Sequence, residues 1–380
     1  MSNPKMPNPL DANQKPEVDM SNLIKKGGDV NFGSLEPRRD EISMPMNNKI
    51  SHIYTTSYIT RFPTILVTGG TGSIGSEIVK QLADTEITIR VYSRDDTRQY
   101  MLQQELSEYK NIRYLIGDVR DRARLDRAMS GVDVVFHTAG LKHVPCCEYN
   151  PFEAVQTNVV GTQNVIQSAI DNGVGKVILI STDKAVNPIN VMGITKRLAE
   201  QLMVAASEWA GNTKLLTARL GNVLGSRGSL AHIVKHQMET SRELYITDTR
   251  MTRFVITKRD AVEFIISIAD DISAVSGEIY IPQMESVKIT DLIEELAEYY
   301  NNKLHSRGSY GIKIVGIRKG EKLHEQLLSD NEIDYTTSDA IRFVIRKTKS
   351  DVMSEWRYQP DKALADKNYI KDLVERACNE

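Results

Sequence analysis

The sequence predicts an α/β fold, a Rossmann-type doubly wound parallel sheet with a smaller mixed α/β region on its C-terminal side. Three observations predict it. From Thr64 to about residue 225, short apolar runs alternate with stretches of helical spacing. Such alternation implies a parallel sheet covered by helices on both faces. The first apolar run ends in the glycine-rich turn TGGTGSIG, residues 68–75. Beyond residue 225 the alternation gives way to mixed helix, strand and loop, as expected of a substrate-covering region.

The elements follow in order. TILVTG, starting at Thr64, is apolar and closed by Gly, the profile of a buried parallel strand. GSEIVKQLAD then has helical spacing. ITIRVYS (87–93) is a second strand and TRQYMLQQELSEY a helix. IRYLIGD, VDVVFHTAG and GKVILIST continue the pattern, and PFEAVQTNVVGTQNVIQSAIDNG (151–173) is expected to be one long helix stopped by Gly. NVMGITKRLAEQLMVAASEW is a helix following Pro188. Further on, GEIYIP and IKIVGIR are expected strands and KITDLIEELAEYYNN a helix. The domains read as an extension over 1–60, a Rossmann domain over 61–235, and a second region over 236–380 partly interleaved with it.

Composition narrows the function classes. The chain has 380 residues, 41% hydrophobic and 26% charged, with net charge −2. That balance favours neither nucleic acid nor a membrane surface. Cys146, Cys147 and Cys378 are the cysteines, and no Cys/His spacing suggests a metal. No signal-type or membrane-length apolar run occurs, so a soluble cytoplasmic protein is expected. Residues 1–60 are rich in Pro, Asn, Asp, Lys and Gly, a composition that buries too little apolar surface to order itself. They are expected to be a flexible tail or an oligomer arm, with NKISHIYTTSYI (48–59) apolar enough to dock.

Gly69, Gly72 and Gly75 stand at G-x-x-G-x-x-G spacing between a strand and a helix. Glycine permits the tight turn and lets backbone N–H groups approach a pyrophosphate at the helix N-terminus. Thr71, Ser73 and Ile74 complete the loop. The second strand ends Tyr92-Ser93-Arg94-Asp95. A hydroxyl and a guanidinium there suit a 2′-phosphate, so NADP is favoured over NAD. Asp118 and Val119 follow the third strand, where a carboxylate can accept from an adenine amino group or cap the next helix. Ala139 and Lys142 follow the fourth, at the cofactor's edge; His143 beside them can be a packed loop residue.

STDKAVNPINVMGITK, residues 181–196, follows the fifth strand. Ligands gather at strand carboxyl ends in open α/β sheets, so Thr182, Asp183 and Lys184 should enter one crevice. Met192 and Lys196 share a helix face. Lys196 would hold the nicotinamide ribose. A nucleotide-sugar enzyme of the short-chain dehydrogenase type would carry Tyr at position 192, and methionine can neither donate nor accept a proton.

TGGTGSIG, YSRD, HTAGLKHVPCCEYNPFEAVQTNVVG, STDKAVNPINVMGITKRLAE, RLGNVLGSRGS, DTRMTRF and GIRKGEKLHE together resemble the UDP-N-acetylglucosamine 4,6-dehydratases of surface-glycan synthesis, which are extended short-chain dehydrogenases. The resemblance covers about residues 62–330 and leaves residues 1–60 outside. Members carry either Tyr or Met at position 192, so it implies an active enzyme of the short soluble type. It implies hydride transfer from C4 of the sugar to NADP⁺, elimination of water across C5 and C6, and hydride return to C6. Asp183 then matches the acid that protonates the leaving hydroxyl, Lys184 the base at C5, and Thr182 the partner of the C4 oxygen. Asp183, if ionised earlier, can also take the C4 hydroxyl proton. Asn222 matches the residue that meets the UDP diphosphate. Dimers or hexamers are the implied assemblies.

Arg253 and Arg318 suit a diphosphate because a guanidinium binds phosphate oxygens bidentately. Arg227 and Ser229 are further candidates for the UDP-sugar, as is Lys142. Glu321 can reach ribose hydroxyls or pair with an arginine. A UDP-sugar 4-epimerase and a non-catalytic nucleotide-binding protein are the alternatives; the Asp183-Lys184 pair favours elimination over both.

Overall fold

The computed structural model describes residues 61–241, 243–303, 309–349 and 364–379. The N-terminal extension, with its 48–59 segment, lies outside the described residues.

The first half alternates as expected. β1 (Thr64–Thr68) leads into α1 (Ser73–Leu82), β2 (Thr88–Ser93) into α2 (Asp96–Glu105), and β3 (Ile112–Ile116) into α3 (Arg122–Met129). β4 (Val134–His137) is followed by α4 (Val144–Tyr149), α5 (Pro151–Ala154) and α6 (Gly161–Asp171), then β5 (Lys176–Thr182), α7 (Val191–Ala206) and β6 (Lys214–Leu220). The 151–173 helix differs from expectation in one respect: Val155–Val160 is wound as a π-helix between α5 and α6. The wider winding accompanies a local competition for bonding. The Asn158 side chain accepts from Leu141 N at 2.7 Å and donates to Leu141 O at 3.1 Å, tying the loop after β4 to the helix.

The second half comprises β7 (Asn222–Leu224), α8 (Leu230–Thr240), β8 (Glu243–Ile246), β9 (Thr252–Thr257), α9 (Lys258–Asp270), β10 (Ile279–Pro282), β11 (Ser286–Lys288) and α10 (Ile289–Lys303). β12 (Gly311–Ile314), α11 (Asp330–Ile333), β13 (Thr336–Ser338), β14 (Arg342–Ile345) and α12 (Lys367–Asn379) complete it.

Nine strands form the main sheet in the order β13-β14-β10-β6-β5-β4-β1-β2-β3. All neighbours are parallel except β14 on β10 and β13 on β14. Residues on both sides of position 235 therefore build one sheet. Alternate side chains of each strand serve opposite faces: Ile65 and Val67 pack in one core with Phe136 and Ile178, Leu66 in the other with Val135 and Val177. A third core lies beneath α8, α10 and α12, around Leu244, Leu292 and Leu373. Strand order reverses between β1 and β4, which opens a crevice at their carboxyl ends.

Candidate active site

The glycine-rich turn fills that crevice. Gly69 has φ +67° and its N–H donates to Tyr92 O at 2.7 Å. A Cβ at Gly69 would lie 2.7 Å from Ala139 N, and one at Gly75 only 2.4 Å from Gly69 O. The loop thus packs backbone against backbone, and α1 begins immediately after it with no acidic residue in its first turn. Its free N–H groups form a cradle suited to a pyrophosphate. Buried His137 braces the cradle from below, bonded to Thr68 Oγ1 at 2.7 Å and Thr162 Oγ1 at 3.1 Å. Burial first, and Lys196 second, push its pKa down to about 3, so it braces as a neutral ring.

At the end of β2, Ser93 is buried and its hydroxyl accepts from Gln99 Nε2 at 3.0 Å. Arg94 stands 3.5 Å from Asp118, which Arg120 also grips at 2.7 Å. Burial would raise the Asp118 carboxyl, but the Arg120 hydrogen bonds and both guanidinium charges win and hold it low. Val119 is buried behind it. Arg227 is placed here too, away from Arg253 and Arg318. Its N–H donates to Ser73 Oγ at 2.9 Å and its guanidinium to Thr71 O. Its neighbours include Arg98 and Asp95, and burial and the Arg98 charge push its pKa down. Lys142 Nζ, 3.4 Å from Ser226 Oγ, is lowered by burial and by Arg227. These basic groups converge on the cradle, whereas the sequence grouped Arg227 with the sugar-nucleotide residues.

Beyond β5, Asp183-Lys184-Ala185 forms a single 3₁₀ turn capped by Thr182. Thr182 Oγ1 donates to Asp183 Oδ1 at 2.9 Å. Asp183 is fully buried, and its Oδ2 has no hydrogen-bond partner among the described residues. Lys184 Nζ bonds Asp183 Oδ1 and Asn222 Oδ1, each at 2.9 Å, and stands 3.8 Å from Glu325 Oε1. Helix α7 approaches this turn closely because Gly193 has no side chain; a Cβ there would fall 2.2 Å from Lys184 O. Lys196, one turn further, donates to Ile180 O at 2.8 Å. Burial pushes its amine down to about 8, against the opposing charges of Glu200 and Cys147. Met192 is 3% exposed and packs with Cys147 and Ala154, so it adds apolar bulk and no proton-transfer group.

A buried ion network fixes the floor. Ser181 Oγ donates to Glu200 Oε1 at 2.7 Å, and the fully buried Arg219 forks onto Glu200 and Glu332, its closest approaches 2.8 and 2.9 Å. β5, β6, α7 and α11 are thereby locked together behind the Asp183-Lys184 turn.

Lys184, Asn222, Arg253, Arg318, Glu321 and Glu325 line one cavity of about 680 Å³. Arg318 is exposed, and among the described residues its guanidinium makes no ion pair. Arg253 is 6% exposed and spends its N–H groups largely on the carbonyls of Thr252, Lys322 and Leu323. Glu321 lies 3.7 Å from Arg253, the arginine pairing considered for it. Glu325 was missed in the sequence, although it stands four residues after Glu321 in GEKLHE; nothing local distinguishes it from a surface glutamate. Among the described residues, no cluster of His, Cys, Asp and Glu could hold a metal ion, and no helix is long and apolar enough to cross a membrane.

The profile of a family described as polysaccharide biosynthesis protein matches residues 65–347. The chain belongs to this family. It is 52% identical over 277 residues to an uncharacterized membrane protein of Methanocaldococcus jannaschii, covering 71% of this chain and 81% of that protein. It is 45% identical over 296 residues to a UDP-N-acetylglucosamine 4,6-dehydratase (inverting) of Campylobacter jejuni, covering 74% and 84%. A UDP-glucose 4-epimerase of Rickettsia felis is 39% identical over 277 residues, covering 71% and 79%. Among solved structures, Pen from Bacillus thuringiensis superimposes with a TM-score of 0.79 at 36% identity, covering 83% of this chain and 98% of that one. The family match spans the glycine cradle, the 3₁₀ turn and the 316–325 segment.

Proposed function

We propose that the chain is an NADP-dependent UDP-N-acetylglucosamine 4,6-dehydratase that makes a UDP-4-keto-6-deoxy sugar. The observation that carries the reading is the Asp183-Lys184 turn, with both side chains joined at 2.9 Å and Lys184 lining the cavity. The likeness to the Campylobacter dehydratase supports it.

The residues present fit a dinucleotide. Gly69, Gly72 and Gly75 leave room for a pyrophosphate, and Thr71, Ser73 and Ile74 offer the loop's backbone. Ser93 and Arg94, with Arg227 close by, suit a 2′-phosphate, so the cofactor is NADP. Asp118 and Val119 border the adenine side, and Ala139, Lys142 and Lys196 the nicotinamide side. When bound, the cofactor accepts hydride from C4 and returns it to C6.

The protein's own groups do the rest. Thr182 holds the C4 oxygen while Asp183 takes the C4 hydroxyl proton. Oxidation at C4 acidifies C5, and Lys184 as free amine removes the C5 proton. Asp183 then gives its proton to the C6 hydroxyl, which leaves as water. Hydride return to C6 is completed by a proton added at C5, and Lys184 gives up the proton it took, so each group ends as it began. The proton Asp183 gains is the proton it later gives, so one carboxyl serves both steps and no tyrosine at position 192 is needed. Asn222 holds Lys184 in place and, with Arg253, Arg318 and Glu321, borders the nucleotide part of the substrate. The protein would act in the cytoplasm as a homo-oligomer, a dimer or hexamer.

The epimerase reading rests on the Rickettsia relative. It needs hydride removal and return at C4 alone and leaves Lys184 without a task. Incubation with UDP-N-acetylglucosamine and NADP⁺, followed by mass spectrometry, separates the two. Loss of one water supports dehydration; unchanged mass with a new chromatographic peak means epimerisation.

A further inference from the structure

Glu325 is a carboxylate where a carboxylate is costly. It is 3% exposed, and its Oε2 has no hydrogen-bond partner among the described residues, with Lys322 Nζ 3.4 Å away. A buried charge of this kind persists only where surrounding structure holds it. The segment carrying it is clamped: Arg253 donates to Lys322 O and Leu323 O, each at 3.0 Å. Lys322 Nζ donates to Val186 O at 2.6 Å, and Asn187 Nδ2 to Gln326 Oε1 at 2.8 Å. The clamp thus joins the Glu325 segment to the residues just after the Asp183-Lys184 turn. Glu325 Oε1 consequently faces Lys184 Nζ at 3.8 Å, beyond hydrogen-bond reach but within strong charge coupling.

We propose that Glu325 is a positioning residue for Lys184, holding its amine over the cavity and facing it with a negative charge when Asp183 is neutral. The inference rests on the role of Lys184 given above. Among the described residues, Asp183 and Glu325 are the carboxylates at ion-pair distance from Lys184. Once Asp183 carries the C4 proton it is neutral, and Glu325 remains as the facing negative charge. When Lys184 takes the C5 proton, its new positive charge forms beside that carboxylate, which strengthens it as a base. The other charged groups around it are Lys322 behind Glu325, and Glu148, Arg253, Arg318, Lys319 and Glu321 along the same cavity.

An opposite charge favours the ionised form, so removing it lowers a lysine pKa. The test uses the full chain and two variants, Glu325→Gln and Glu325→Asp. Acetylation of Lys184 by acetic anhydride is followed against pH by peptide mass spectrometry, a readout independent of turnover. In Glu325→Gln the midpoint should fall by about one pH unit or more, while Glu325→Asp keeps the wild-type midpoint. Where the enzyme turns over, the acidic limb of kcat/KM should move down by the same amount with little change in KM. An unchanged midpoint in a folded Glu325→Gln protein overturns the proposal. A lowered midpoint together with full dehydration by Lys184→Ala would leave this coupling standing and sink the assigned base instead.

Discussion

The glycine cradle and the cavity lined by Lys184 lie at the carboxyl ends of the sheet's strands, yet they are held by different physics. The cradle is backbone. Gly69 and Gly75 let main chain meet main chain, and a neutral His137 joins β1 to β4 and α6 beneath it. The cavity is side-chain charge. Lys184 is coupled to Asp183 and Glu325, and behind it Arg219 forks onto Glu200 and Glu332. Backbone sites tolerate changes of charge and fail on added volume. Ionic sites should do the reverse, because removing one partner strands the other in a dry interior.

The largest effect should follow from breaking the ionic side. Arg219→Ala removes the fully buried partner of Glu200 and Glu332, leaving them the partly exposed Arg197, and should cost about 3 kcal/mol, read from chemical denaturation. A loss under about 1 kcal/mol would mean that the network is ornamental to the cavity. On the backbone side, Gly75→Ala should weaken NADP binding at least about tenfold, roughly 1.4 kcal/mol, measured by titration calorimetry. Its circular dichroism should stay native. Arg94→Ala sharpens the assignment within the cradle: NADP affinity should drop by about 1.5 kcal/mol while NAD affinity holds. Equal losses for both cofactors would remove Arg94 from the 2′-phosphate.

Asp270 serves as a control remote from both sites. Burial lifts its carboxyl to about 6, against the opposing pull of Arg61 and Lys176. A carboxyl raised in the folded state binds more protons folded than unfolded, so its contribution to stability is lost as pH rises from about 4 to about 6. Asp270→Asn should therefore stabilise the protein at neutral pH by about 1 kcal/mol, since Arg61 and Lys176 offset part of the cost of burial. The gain should vanish below about pH 4, and thermal melts at the two pH values check the sign.

The two regions also differ in how far they can be read from sequence. The cradle is contiguous: strand, glycine turn and helix follow one another over 64–82, so residue type and spacing suffice. The Asp183-Lys184 turn was legible for the same reason, at the end of β5. The cavity draws on residues 184, 222, 253 and 318–325, which only the sheet order brings together. Asn222 and Arg318 entered through family motifs, while Glu325 carries no local mark. Arg227 shows the converse: its segment GSRGS looks like part of the sugar-nucleotide wall, but the turn after β7 folds it back onto Ser73 and Thr71. The π-helix at 155–160 was equally invisible, because it accompanies tertiary bonds of Asn158 to Leu141. The domain division at residue 235 reflected a change in sequence texture and was read with the two parts partly interleaved; β10, β14 and β13, from beyond it, continue the main sheet.

The central claim is that Lys184 removes the C5 proton after C4 has been oxidised. Its most direct test compares wild type with Lys184→Ala on UDP-N-acetylglucosamine, following nicotinamide absorbance and the mass of the nucleotide sugar together. The account predicts that the variant still reduces its cofactor but forms the dehydrated sugar at least about 100-fold more slowly. Water loss at the wild-type rate in Lys184→Ala would contradict it.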